Sequence, residues 1–164
     1  MDTDALIPLA RDVLAAARAG KLKLAAAESC TGGLVMACLT EVPGSSDVVD
    51  RGFVTYSNAA KHDLLGVPLD ILNRPGPGAV SEPCVRAMVA GVLANSGADV
   101  AVAITGIAGP PKDDTDKSVG LVHFAAARRG GETIHRKMEF GDLGRSVVRR
   151  RSVELALELM QSLI

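Results

Sequence analysis

Apolar residues along this chain recur either at helical spacing or in short unbroken runs, and their order sets the expected elements. Leu6, Leu9, Ala10, Val13, Leu14 and Ala17 share one helical face and Gly20 follows, so the chain opens with an amphipathic helix over residues 6–19. A short apolar run over 22–27 meets Glu28-Ser29-Cys30-Thr31-Gly32-Gly33, after which 34–40 resumes a helical pattern, which reads as strand, tight turn and helix. Residues 42–46, Val-Pro-Gly-Ser-Ser, are turn chemistry. Residues 52–57 are β-branched and aromatic enough for a second strand, with Asn58 as the expected cap of a helix over 59–65 that ends at Gly66.

The Pro- and Gly-rich stretch 73–78 is loop. Ser81 as cap with Pro83 in the first turn opens a helix to about residue 95. Residues 99–105 form a continuous apolar run, as in a central strand covered on both faces, and end in Thr105-Gly106-Ile107-Ala108-Gly109-Pro110. Residues 119–127 and 133–140 pattern as an antiparallel hairpin, and 147–163 as a final helix. The expected fold is α/β: one domain over 1–164, three layers α/β/α, with a mixed, largely parallel sheet and an antiparallel hairpin.

Composition sharpens this. The 164 residues are 48% hydrophobic and only 2% aromatic, so Ala, Val and Leu must fill the core. A formal charge of −1 gives no electrostatic case for a nucleic-acid or membrane-surface partner. Cys30, Cys38 and Cys84 have no metal-ligand spacing and are odd in number, which fits a reducing cytosol and a cytoplasmic protein. Charges within residues 1–19 interrupt any apolar run, so neither signal peptide nor anchor is expected there. Apolar faces on the first or last helix favour a homo-oligomer.

The candidate chemistry lies in three loops. Ser29 is expected at the carboxyl end of its strand, where open α/β sheets place ligands. The N–H groups of Thr31, Gly32 and Gly33 at a positive helix end suit an oxyanion or a phosphate, although turn formation alone explains the same motif. A serine nucleophile needs a base. His123 and His135 lie in predicted strands and His62 sits beside Lys61, so no Ser-His-Asp arrangement recommends itself. Tyr56 and Lys61, at a strand end and a helix start, can face the same sheet edge as Ser29, and burial lowers a lysine pKa toward that of a base. Thr105, Gly106 and Gly109 can line a pocket or simply make a turn with positive φ. Arg145, Arg149, Arg150 and Arg151 crowd the start of the last helix, as for an anionic partner or a solvated face. Cys30 as nucleophile and Asp113, Asp114 and Asp116 as a cation loop are weaker options. No Walker or dinucleotide-binding motif occurs.

The stretches 27–33, 42–46, 54–58 with Lys61, 65–67, 78–81 and 105–110, in this order, resemble the CinA C-terminal domain family. That resemblance implies hydrolysis of the carboxamide of nicotinamide mononucleotide to nicotinate mononucleotide and ammonia, without metal or cofactor. It implies Ser29 as nucleophile, Lys61 as base, Tyr56 as an orienting or proton-relaying group, and Thr31, Gly32, Gly33, Asn58, Thr105, Gly106 and Arg145 as substrate contacts. The chain departs from the family where Leu143-Gly144-Arg145 replaces Gly-Asp-Arg, and where a charged 111–117 replaces a glycine-rich stretch. Those departures leave two alternatives open: a binding module without catalysis, and amide hydrolysis on a different substrate.

Overall fold

Three apolar runs make the centre of the molecule, a computed structural model that describes residues 4–110 and 116–164. They form strands β1 (Leu24–Glu28), β3 (Val100–Gly106) and β4 (Leu121–Arg128). The more exposed β2 (Val49–Val54) and β5 (Thr133–Glu139) lie at the two edges, in the order β2-β1-β3-β4-β5. β2, β1 and β3 run parallel, and the β4–β5 hairpin is antiparallel to β3 and within itself. The mixed sheet is the expected one, with two parallel and two antiparallel pairings.

The helices are α1 (Ile7–Ala19), α2 (Leu34–Thr40), α3 (Asn58–Leu65), the one-turn α4 (Leu69–Leu72), α5 (Glu82–Ala94) and α6 (Arg145–Gln161). Among them only α4 has no counterpart in the hydrophobic pattern. Alternation along the central strands gives the sheet two unlike faces. Val100, Val102, Ile104, Val122 and Phe124 pack under α1, α2 and α6. Ala25, Ala27, Ala101, Ala103, Ala125 and Ala127 floor the other face, beneath α5. Small side chains let α5 lie close to the strands, and interdigitated packing of this kind leaves little room for change.

Of the boundaries that differ from the sequence reading, two bear on function. The second strand is Val49–Val54, earlier than the expected 52–57, because its register with β1 ends where Val54 meets Glu28. Tyr56 and Ser57 therefore belong to the turn into α3. The cap of α3 is Ser57, whose Oγ accepts from the Ala60 N–H at 3.0 Å, while Asn58 is the first helical residue. Ser81 caps α5 as expected, accepting from the Cys84 N–H at 3.3 Å.

From β1 the chain crosses by α2 to β2 on one side, then by α3, α4 and α5 to β3 on the other. These crossovers use opposite faces of the sheet, so the carboxyl ends of β1 and β3 border the crevice where doubly wound sheets bind ligands. Ser29 and Thr105 stand at those two ends.

Candidate active site

Ser29 extends the β1–β3 ladder by one bond, its N–H donating to the Ile104 carbonyl at 3.1 Å. The chain then turns sharply: the Gly32 N–H returns to the Ser29 carbonyl at 3.1 Å, and Gly32 and Gly33 adopt φ of 61° and 98°, which favour glycine. Glu28, fully buried, fixes the first turn of α2. Its Oε2 accepts from the N–H groups of Gly33 and Val35 at 3.0 and 3.1 Å, and its Oε1 from that of Met36 at 3.0 Å. A carboxylate on a helix N-terminus is favoured by both charge and hydrogen bonding. The amino end of α2, expected to serve a substrate anion, is occupied by the protein's own acid. Cys30 and Thr31 keep N–H groups with no backbone acceptor among the described residues.

Lys61 comes in from α3 and is 1% exposed. Its Nζ lies 3.0 Å from Ser29 Oγ, 2.8 Å from the Thr55 carbonyl and 3.5 Å from the Tyr56 carbonyl. Among the described residues it joins no carboxylate, and burial holds its pKa below the ordinary lysine value. Two thiols lie near it, but burial pushes Cys30 up to about 12 and Cys84 up to about 11, so both are uncharged at neutral pH. That disfavours Cys30 as a nucleophile. A neutral amine has two N–H donors and one lone pair, matching two carbonyls and one hydroxyl. The arrangement can take the Ser29 proton. The histidines are elsewhere: His62 Nδ1 lies 3.0 Å from the Val67 carbonyl, and His123 and His135 pair at 3.0 Å.

Ser29 and Lys61 open onto a cavity of about 1110 Å³. Leu72, Pro75, Pro77, Ala79, Val80 and Ile107 give it apolar walls, and Tyr56, Asn58, Arg74 and Arg145 add polar and basic groups. Arg145, the first residue of α6, donates to the Gly109 carbonyl at 2.7 Å and to the Tyr56 hydroxyl at 3.1 Å. Thr105 Oγ1 donates to the Ala79 carbonyl at 2.8 Å.

The cavity thus gathers Ser29, Tyr56, Asn58, Lys61, Thr105, Gly106 and Arg145 from the sequence-based set. Thr31, Gly32 and Gly33 are not in its lining: Thr31 is buried beneath the turn, its carbonyl accepting from Arg149 at 2.8 Å. Tyr56 meets Lys61 through its main-chain carbonyl and Arg145 through its hydroxyl. Gly106 has no positive φ; it is glycine because a Cβ there would lie 2.7 Å from Val122 Cγ2 and 2.8 Å from the Leu121 carbonyl. Asp113 and Asp114 fall outside the described residues, and Asp116 lines the cavity. The sequence reading missed Glu28 and Thr55, of which Glu28 left a signal: an acid ending an apolar run just before Gly-Gly and a helix.

A three-layer α/β/α protein with a buried Ser-Lys pair at the crevice between parallel strands is the class that fold and site define. The profile of the CinA C-terminal domain matches residues 6–164, and the chain belongs to that family. It is 45% identical over 159 residues to the nicotinamide-nucleotide amidohydrolase PncC of Enterobacter agglomerans, covering 96% of this chain and 94% of that protein. A CinA-like protein of Akkermansia muciniphila is 57% identical over 112 residues, 68% of this chain but only 27% of that longer relative. The crystal structure of the competence/damage inducible protein CihA from Agrobacterium tumefaciens superposes with a TM-score of 0.91 at 46% identity, covering 96% of this chain and 94% of that one. No helix among the described residues is long and apolar enough to cross a membrane.

Proposed function

We propose that this protein is a nicotinamide-nucleotide amidase that hydrolyses the carboxamide of nicotinamide mononucleotide through a Ser29 acyl-enzyme. The observation carrying the proposal is the buried Lys61 Nζ, 3.0 Å from Ser29 Oγ at the floor of the cavity. The similarity to PncC supplies the substrate class.

In this mechanism Lys61 takes the Ser29 proton as Oγ forms a bond to the carboxamide carbon. The oxyanion is met by the Cys30 N–H, next in the chain to the nucleophile. Collapse breaks the C–N bond, and the proton on Lys61 leaves with the nitrogen as ammonia. Water then gives a proton to Lys61 while its oxygen attacks the ester, and collapse returns that proton to Ser29 as nicotinate mononucleotide departs. The Thr55 and Tyr56 carbonyls accept from Lys61 in both protonation states, so the amine need not move during the cycle. The apolar wall suits the pyridine ring, and Arg74 and Arg145 suit the phosphate.

Ammonia release should be compared for nicotinamide mononucleotide, its dephosphorylated riboside and free nicotinamide. The proposal expects the nucleotide to be strongly preferred. Equal turnover of free nicotinamide, or preference for an unrelated amide, would overturn the assignment of substrate.

A further inference from the structure

The cavity wall between α4 and α5 belongs to no helix or strand, so its carbonyls have no ladder to satisfy them. Four consecutive ones are nonetheless held, each by a side chain. Lys117 Nζ donates to Pro77 at 2.7 Å and to Val80 at 2.5 Å, Ser81 Oγ donates to Gly78 at 2.7 Å, and Thr105 Oγ1 donates to Ala79 at 2.8 Å. Ser81 and Thr105 use one bond each, the first from the cap of α5 and the second from β3. Lys117 comes from the connection between β3 and β4 and closes both ends of the set with one ammonium. Bonds from a charged donor are the stronger kind.

Lys117 itself is part of the cavity lining, beside Ala79 and Val80. Partial burial holds its pKa below the ordinary lysine value, consistent with an ammonium turned inward on carbonyls rather than outward into water. It shares none of the hydrogen bonds that join Ser29 and Lys61 to each other and to the main chain.

We propose that Lys117 is a positioning residue for substrate, latching residues 77–80 into the apolar wall against which the ring of the nucleotide is held. The proposal rests on the amidase reading for the identity of the ligand, but the latch itself does not. The chemical step depends on Ser29 and Lys61, so loss of the latch weakens binding and leaves the bond-breaking machinery in place.

The test uses Lys117→Met, which keeps the stem and removes the donors, with Lys117→Arg as the conservative partner. Hydrogen exchange of residues 76–81 reads the latch without any substrate. It is expected to speed up roughly tenfold or more in Lys117→Met and to return toward wild type in Lys117→Arg. With nicotinamide mononucleotide, Lys117→Met is expected to raise KM about tenfold and to change kcat by less than about threefold, with nicotinate mononucleotide binding weakened in parallel. Unchanged exchange over 76–81 in a folded Lys117→Met protein overturns the latch. So does a fall in kcat at unchanged KM, which would put Lys117 in the chemistry. Should the Met variant fail to fold, Lys117→Gln is read by the same exchange measurement and the same criteria. A wild-type protein that releases no ammonia refutes the amidase reading alone, since exchange still decides the latch.

Discussion

Gly91 offers a way to move Lys61, the proposed base, without touching it. It lies in α5 where that helix crosses the end of α3, and a Cβ built there would be 2.1 Å from the Leu65 carbonyl oxygen and 2.8 Å from Leu65 Cβ. Non-bonded carbon and oxygen sit at roughly 3.3 Å, so Gly91→Ala must displace the end of α3 by about 1 Å. Backbone atoms form the obstacle, and no side-chain rotamer can relieve it. Lys61 stands one turn before Leu65 on the same helix, 3.0 Å from Ser29 Oγ. A shift of that size at reacting groups costs about 100-fold in rate. The stability cost is smaller: overpacking costs about 1–3 kcal/mol, and alanine returns up to about 1 kcal/mol of helix propensity. A net loss of about 1 kcal/mol lowers Tm by roughly 2–4 °C at this chain length.

The assay is kcat/KM for ammonia release well below Tm, beside a thermal melt. Gly130→Ala is the control, since Gly130 has φ of 78° in the β4–β5 turn with nothing near its would-be Cβ. Its backbone strain costs about 1–2 kcal/mol and should leave turnover at the wild-type level. Wild-type kcat/KM in Gly91→Ala, with Tm reduced, would refute the argument that the α3–α5 contact sets the Ser29–Lys61 distance.

Other expectations rest on the same contacts. Glu28→Gln replaces a buried carboxylate that accepts three N–H bonds, and should lose about 2–3 kcal/mol or more in urea unfolding. The pH dependence of kcat/KM should show a rising limb set by Lys61, with its midpoint below the ordinary lysine value of 10.5, and residual activity in Lys61→Met should lack that limb. Cys30, with its pKa raised from 9.0 to about 12, contributes stability that is complete below pH 9 and lost as pH rises toward 12. Cys30→Ala should flatten that alkaline loss, and native Cys30 should resist thiol reagents at pH 8. Tyr56→Phe removes one exposed hydrogen bond to Arg145 and should raise KM by roughly tenfold or less, with kcat preserved.

Much of the fold was legible because its core is written as uninterrupted apolar runs. Residues 100–104, Val-Ala-Val-Ala-Ile, even encode the two faces, bulky under α6 and small under α5. Short capping chemistry was harder to read. Ser57 and Asn58 are both good caps, and which one acts depends on where β2 ends, which its pairing with β1 decides. Ser29 and Thr105 stood out as hydroxyls at the ends of apolar runs, and Lys61 as an amine in the first turn of the helix after a strand. Glu28 was hidden by the same logic, since nothing in a single sequence tells whether an acid ending a strand faces a ligand or the next helix. The wall at 77–80 was legible only as loop, because the side chains that hold it come from residues 81, 105 and 117.

The most direct test of the proposed dyad is ammonia release from nicotinamide mononucleotide by wild type, Ser29→Ala and Lys61→Met, each first checked for a cooperative melt. The dyad predicts clear turnover by the wild type and a loss of about 10⁴-fold or more in each variant, because nucleophile and base act as a unit. A folded Ser29→Ala protein turning over within tenfold of wild type would contradict it.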